Sequence, residues 1–164
     1  MTKLDYVWGG QRAPKENLAI GKFVSQNTWG NDHELFSGYT SLGVVKGDRL
    51  IAGVIYHDYK PKPKTVEISC AAIDPTWLRG PTLYLMYSYP FEQMGCRVIG
   101  TGNAESNKRL HRQLERLDHR KYVIDDYWGE GEDCYFWTLT KKAYQSNNLI
   151  NRAKRIWMND YVKH

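Results

Sequence analysis

Two residues near the middle of the chain carry the side chains that proton transfer needs. In TVEISCAA, residues 65–72, Glu67 and Ser69 stand two apart, so on a β-strand both project from one face. A carboxylate there can take a proton from a substrate, and a hydroxyl beside it can hold that substrate. The plainer readings are a cross-strand partner and a satisfied core hydroxyl. His33 lies in a stretch, His33 to Phe36, that reads either as a turn of helix or as the wall of a site. His111 and His119 belong with a basic helix, and His57, near a hairpin end, carries no readable signal. No set of His, Cys, Asp and Glu has zinc spacing, and there is no Gly-x-Ser-x-Gly or Gly-Lys-Ser/Thr run, so no metal is expected.

Anion binding is the second chemistry the residues suggest. Between Asn107 and Lys121, Lys108, Arg109, Arg112, Arg116, Arg120 and Lys121 oppose only Glu115 and Asp118. Asp125, Asp126, Glu130, Glu132 and Asp133 then follow with no Lys or Arg among them. In a chain of net charge +5 and pI about 9.0, this separation suits phosphate or nucleic acid held by Lys108, Arg109, Arg112 and Arg116; a solvated helix face is the plain alternative. Aromatic residues make up 13% of the chain, more than its core requires. Trp8, Trp29, Trp77, Trp128, Tyr87 and Tyr89 fall at expected strand ends, in loops and around the central turn, where they can line a pocket or stack bases. Cys70, Cys96 and Cys134 are odd in number and set among apolar neighbours, which reads as buried thiols.

These residues are positioned by a strand–loop–helix–strand unit spanning Thr65 to Asn103, flanked by elements that cover it. Leu4 to Trp8 alternates as a strand, and Ala13-Pro14 opens a helix with Leu18, Ala19, Phe23 and Val24 on one face, weakened by Gly21 and ended by a loop from Asn27 to Asp32. SLGVV and RLIAGVIYHDY form a hairpin about Lys46-Gly47-Asp48, and Lys60-Pro61-Lys62-Pro63-Lys64 is an exposed basic loop. Leu110, Leu114 and Leu117 recur on one face of an amphipathic helix, followed by strands at Tyr122 to Trp128 and Cys134 to Thr140. A last helix from about Tyr144 carries Leu149, Ile150, Ala153, Ile156 and Trp157. At 164 residues the chain fits one domain, with no apolar run near ~18 residues and no apolar leader, which points to a cytoplasmic protein that binds no membrane.

This order resembles the GNAT superfamily, the acyl-coenzyme-A N-acyltransferases, over residues 1–141, with residues 142–164 as an added helix packed on the same domain. EISCAAIDPTWLRG is similar to the family's fourth strand and pyrophosphate loop, and GCRVIGTGNAESN to its fifth strand ending in asparagine. Asn107, Leu110 and Leu117-Asp118-His119 fall where the family has an asparagine, a small or apolar residue and Leu-Gly-Phe, and Glu132-Asp133 where it has Gly-Asp. The resemblance implies an α+β fold with a mixed sheet of about seven strands that part between the fourth and fifth to admit acetyl-CoA or another acyl-CoA. It implies Ile73, Arg79, Gly80, Thr82 and Asn107 as cofactor-binding, and Glu67, Ser69 and His33 on the acceptor side. Arg79-Gly80-Pro81-Thr82-Leu83-Tyr84 departs from the family's Arg/Gln-x-x-Gly-x-Gly/Ala, and Leu114 stands in place of the family's frequent general-acid tyrosine.

Three functions are compatible with the resemblance. The first is an acyl-CoA-dependent N-acyltransferase acting on an amine. The second is a nucleobase-modifying protein similar to the phage protein Mom. The third is a catalytically inactive binding or inhibitor protein, of phage origin, whose partner is a host protein.

Overall fold

A computed structural model describes residues 2–30 and 36–163; the expectation for His33 lies outside them. Seven strands, β1 (Leu4–Gly9), β2 (Thr40–Lys46), β3 (Arg49–Lys60), β4 (Thr65–Ala72), β5 (Val98–Ala104), β6 (Arg120–Gly129) and β7 (Glu132–Thr140), form one sheet. Its order is β1-β2-β3-β4-β5-β7-β6, antiparallel throughout except for β4 beside β5. The helices are α1 (Pro14–Trp29), α2 (Thr82–Ser88), α3 (Lys108–Arg116), α4 (Lys141–Ser146) and α5 (Asn148–Trp157). The expected mixed α+β sheet with flanking helices is therefore observed, and among the described residues no helix is long and apolar enough to cross a membrane.

Helix α1 covers one face of the sheet, where Ile20 and Val24 pack with Ile55. It runs through Trp29 rather than ending near Asn27, and stops at Gly30, whose left-handed backbone turns its N–H back to the Gln26 carbonyl. Gly21, expected only to weaken this helix, makes room for Tyr39: a Cβ there would lie 2.2 Å from Tyr39 Oη. Tyr39 is locked in place, donating from Oη to the Asn17 carbonyl at 3.1 Å while its own carbonyl accepts from Asn17 Nδ2 at 3.0 Å.

The opposite face holds the larger core, with Leu42, Val54, Val66 and Ile68 packed with Leu83, Phe91 and Ile150. Pro90 has no N–H to give, so α2 continues as a widened turn, Tyr89–Gln93, in which Met94 N–H reaches the Tyr89 carbonyl. Glu92 on that turn accepts from Tyr84 Oη at 3.1 Å and Tyr144 Oη at 2.7 Å, tying α2 to the C-terminal helices. The expected single terminal helix is two. Asn147 breaks it, donating to Asp118 Oδ2 at 2.8 Å while its side-chain oxygen caps α5 at Ile150 N–H. Tyr161 then donates to the Leu4 carbonyl at 2.7 Å, closing the tail onto β1.

His119, between α3 and β6, is buried beside Tyr87, with Tyr87 Oη 3.3 Å from Nε2. Burial pushes its pKa down to about 4, against the opposing pull of the Leu114 and Leu117 backbone and of Asp118.

Two outcomes follow from this packing. Gly21→Ala should destabilise the fold by about 1–3 kcal/mol through displacement of Tyr39, although the same change in an open helix gains about 1 kcal/mol; a urea midpoint that rises instead would refute the clash. Because His119 is neutral when folded and ionises near 6.5 when unfolded, the unfolded chain takes up the extra proton as pH falls. Its stabilisation is complete above pH 6.5 and is lost on acidification toward pH 4, on the order of 2–3 kcal/mol. Urea unfolding at steps between pH 7 and 4.5 should show this slope, and His119→Asn should flatten it.

Candidate functional site

The sheet opens between its two parallel strands. β4 and β5 are in register only at Thr65 with Val98, Val66 with Ile99 and Glu67 with Gly100. Beyond that point β4 follows β3 out to Ala72 opposite Ala52, while β5 follows β7 out to Ala104 opposite Cys134. Gly100 makes room for the Phe136 ring of β7, since a Cβ there would meet its Cζ at 2.6 Å. On the α2 and α3 side the gap narrows to an apolar cavity of about 60 Å³ walled by Ile68, Met86, Tyr87, Leu114 and Leu117. On the α1 side it opens into a cleft of about 920 Å³. Cys70, Thr101 and Asn103 line both, so the two spaces meet at the gap.

The cleft holds a hydrogen-bonded chain of Asp58, His57 and Ser69. Antiparallel register places His57 of β3 opposite Glu67 of β4, and Ser69 one same-face position further along. His57 Nδ1 lies 2.6 Å from Asp58 Oδ2 and its Nε2 lies 2.8 Å from Ser69 Oγ. A carboxylate only accepts, so in the neutral ring Nδ1 carries the hydrogen and the Nε2 lone pair faces the serine hydroxyl. This is the order of groups that activates a hydroxyl or relays a proton through it. Asp58 reaches its own neighbour because its backbone is left-handed, φ +53°, at a register break between His57 and Lys60. Phe36 packs on the His57 ring at 4.8 Å between centroids. Donor atoms of His57, Asp58 and Glu67 all lie within 4.8 Å of one another. A divalent cation could join them only by taking a His57 nitrogen from Ser69 or Asp58.

The structure thus brings Glu67 and Ser69 into one cleft, together with His57 and Asp58, which carry no signal in the sequence. Hairpin register alone would not have revealed them: four residues separate Lys60 and Thr65, which pair, and continuing that register sets His57 against Ile68, so it is the shift between His57 and Lys60 that brings His57 opposite Glu67. Cys70, read as buried, opens into the cleft, while the protein packed round its sulfur pushes the thiol up to about 11. Asn107 stands at the cleft rim with its side-chain oxygen capping Leu110 N–H.

The other expected cofactor residues lie apart from both spaces. Thr82 is wholly buried with its hydroxyl 2.8 Å from Tyr6 Oη. Ile73 is exposed over a separate shallow hollow, its N–H bonded to the Ile51 carbonyl. Arg79 and Gly80 follow a loop pinned by Asp74, which accepts from Thr76 and Lys46 and is held by them well below the usual carboxylate range. Lys108, Arg109, Arg112 and Arg116 are exposed along α3, and only Lys108 meets an acid among the described residues, Glu105 at 4.0 Å. His111 on the same helix is structural, bonded to the Ala104 carbonyl at 2.9 Å and to Trp137 Nε1 at 3.2 Å.

No family model and no curated protein matches the chain. Solved structures do. A GCN5-related N-acetyltransferase from Brucella melitensis aligns with 93% of this chain and 81% of its own at 13% identity and TM-score 0.66. The dodecameric spermidine N-acetyltransferase from Vibrio cholerae aligns with 88% of this chain and 98% of its own at 12% identity and TM-score 0.68. A structure provisionally named an acetyltransferase matches at 17% identity and TM-score 0.61, and the aligned part spans only 65% of that protein's length. With a seven-stranded mixed sheet that parts between its parallel strands, the chain has the fold of the GNAT N-acetyltransferases.

Proposed function

We propose that the protein is an acyl-CoA-dependent N-acyltransferase, with acetyl-CoA as donor and a cationic amine as acceptor. The observation that carries this reading is the Asp58–His57–Ser69 chain beside Glu67, set in the wide cleft at the mouth of the strand gap. The cleft has the character an ammonium group selects. Glu67 and Asp58 supply negative charge, and Trp29, Phe36 and Trp128 supply aromatic faces. That the Vibrio cholerae neighbour acts on spermidine accords with such an acceptor.

The gap fits an acyl-CoA arm in kind. From Ile68 to Ala72 on β4 and from Thr101 to Asn103 on β5, backbone groups face each other without a ladder, ready to pair with an amide-bearing chain. The apolar cavity, at about 60 Å³, is far smaller than a typical ligand pocket of about 300–1,000 Å³, so binding displaces α3 side chains such as Leu110 and Gln113.

When bound, the thioester supplies the activated acyl carbon. The chain's own residues manage the amine. Glu67 holds it as a cation until His57 Nε2 takes one proton, directly or through Ser69 Oγ, and Asp58 keeps the imidazole oriented and steadies its charge; the freed amine would form the C–N bond as the thioester C–S bond breaks, its second proton going to the departing thiolate. The carboxylates that attract an amine repel a phosphodiester, which favours this reading over nucleobase modification despite exposed Arg109, Arg112 and Arg116.

Calorimetric titration with acetyl-CoA at low and moderate salt should give one saturable site. Thiol release with a panel of polyamines and primary amines should then identify the acceptor. His57→Ala and Ser69→Ala should each lower kcat by about 10²–10⁴-fold while acetyl-CoA affinity is unchanged. Glu67→Gln should raise KM for a dicationic amine more than for a monocationic one. Acetyl-CoA binding with no thiol release from any amine supports the binding-protein reading, and no acetyl-CoA binding at millimolar concentration ends the acyltransferase one.

A further inference from the structure

Strand β6 ends the sheet and pairs only with β7. Every one of its ten residues is exposed, including Tyr122 at 45%, Val123 at 49% and Ile124 at 40%. A long apolar edge invites another strand, and edges that stay solitary are usually broken by proline or by charge at the centre. Here the charges stand at the ends instead: Arg120-Lys121 before the apolar triplet and Asp125-Asp126 after it. Among the described residues none of Arg120, Lys121 and Asp125 has an ion-pair partner within the chain.

We infer that this edge pairs with the β6 of a second copy, antiparallel, about a two-fold axis through Val123. Such an axis stands perpendicular to the joined sheet and keeps each residue on its own face, so opposed residues must share a face and the axis must fall on a residue. Centred on Val123, the register sets Val123 against itself, Tyr122 against Ile124, and Lys121 against Asp125 twice over. Centred on Tyr122, it sets Lys121 against Val123; centred on Ile124, it sets Val123 against Asp125. Only the central register matches charge with charge and apolar with apolar. Pairing ends where the strand bulges: Asp126 is left-handed, φ +53°, and its carboxylate is engaged by Gly131 N–H at 2.7 Å. The product is a continuous fourteen-stranded sheet, formed whether or not the cleft is catalytic.

Light scattering after gel filtration, at micromolar concentration, should give twice the 19.1 kDa chain mass. Lys121→Asp places acid against acid at both symmetry-related positions and should weaken the dimer about tenfold or more. The same-chain double exchange Lys121→Asp with Asp125→Lys restores both pairs and should recover the wild-type dissociation constant to within a few-fold. Far-UV circular dichroism checks that each variant is folded. Val123→Cys should crosslink on mild oxidation, its Cα facing its own copy at about 4.5–5.5 Å, whereas Tyr122→Cys, which faces Ile124, should not. A wild-type monomer throughout this range, a dimer indifferent to Lys121→Asp, or crosslinking through Tyr122→Cys in preference to Val123→Cys would overturn the inference.

Discussion

Parallel pairing between β4 and β5 stops after Glu67 and Gly100, and the functional geometry depends on that stop. Each strand has a stronger commitment on its other side, β5 to β7 along its full length and β4 to β3 as far as Ala72. A continuing ladder would require one of these to give. At the last paired position the Phe136 ring of β7 occupies the volume above Gly100 that a side chain would otherwise fill. The resulting gap leaves strand edges without ladder partners, and it lets the cleft reach through to the apolar cavity beneath α3.

Periodicity made most of this legible. The alternation Val66, Ile68 against Glu67, Ser69 assigns β4 and its faces, and Leu110, Leu114 and Leu117 assign α3, because burial of one face leaves a period in the sequence. The errors fall where one long-range contact overrides a local rule. Gly21 reads as a helix weakness until Tyr39 is seen against it, and the terminal helix reads as continuous until Asn147 is seen reaching Asp118. His57 was illegible for the same reason. Its role comes from cross-strand register and from a left-handed Asp58, and neither leaves a pattern in nearby residues. Thr82 shows the reverse case, a residue marked by motif position whose hydroxyl is spent on Tyr6.

Charge separation along the chain also changes meaning once the fold is known. The basic run and the acidic run look like a binding site and its contrast when read in one dimension. In three dimensions the basic run divides between the exposed side of α3 and the start of β6, and the acidic run divides between the far end of β6 and the turn into β7. In that turn the acids are local structure: Asp133 accepts Asp126 N–H at 3.0 Å and Asp126 accepts Gly131 N–H. Such side-chain caps satisfy backbone groups that the bulge removes from the ladder.

The cleft and the sheet edge share material. Tyr127 and Trp128 belong to β6 and also line the cleft, and Trp128 reaches over Gly102 of β5. One wall of the candidate acceptor site is therefore built from the least buried strand in the molecule, beyond the bulge at Asp126. A strand held on one side only is easily displaced, and aromatic side chains that wall a cleft gain from being held on both. Pairing of β6 at Tyr122 to Ile124 would brace the strand just before the bulge that leads into the cleft-lining Tyr127 and Trp128. The edge can thus be apolar and open in sequence terms while the wall it carries stays fixed.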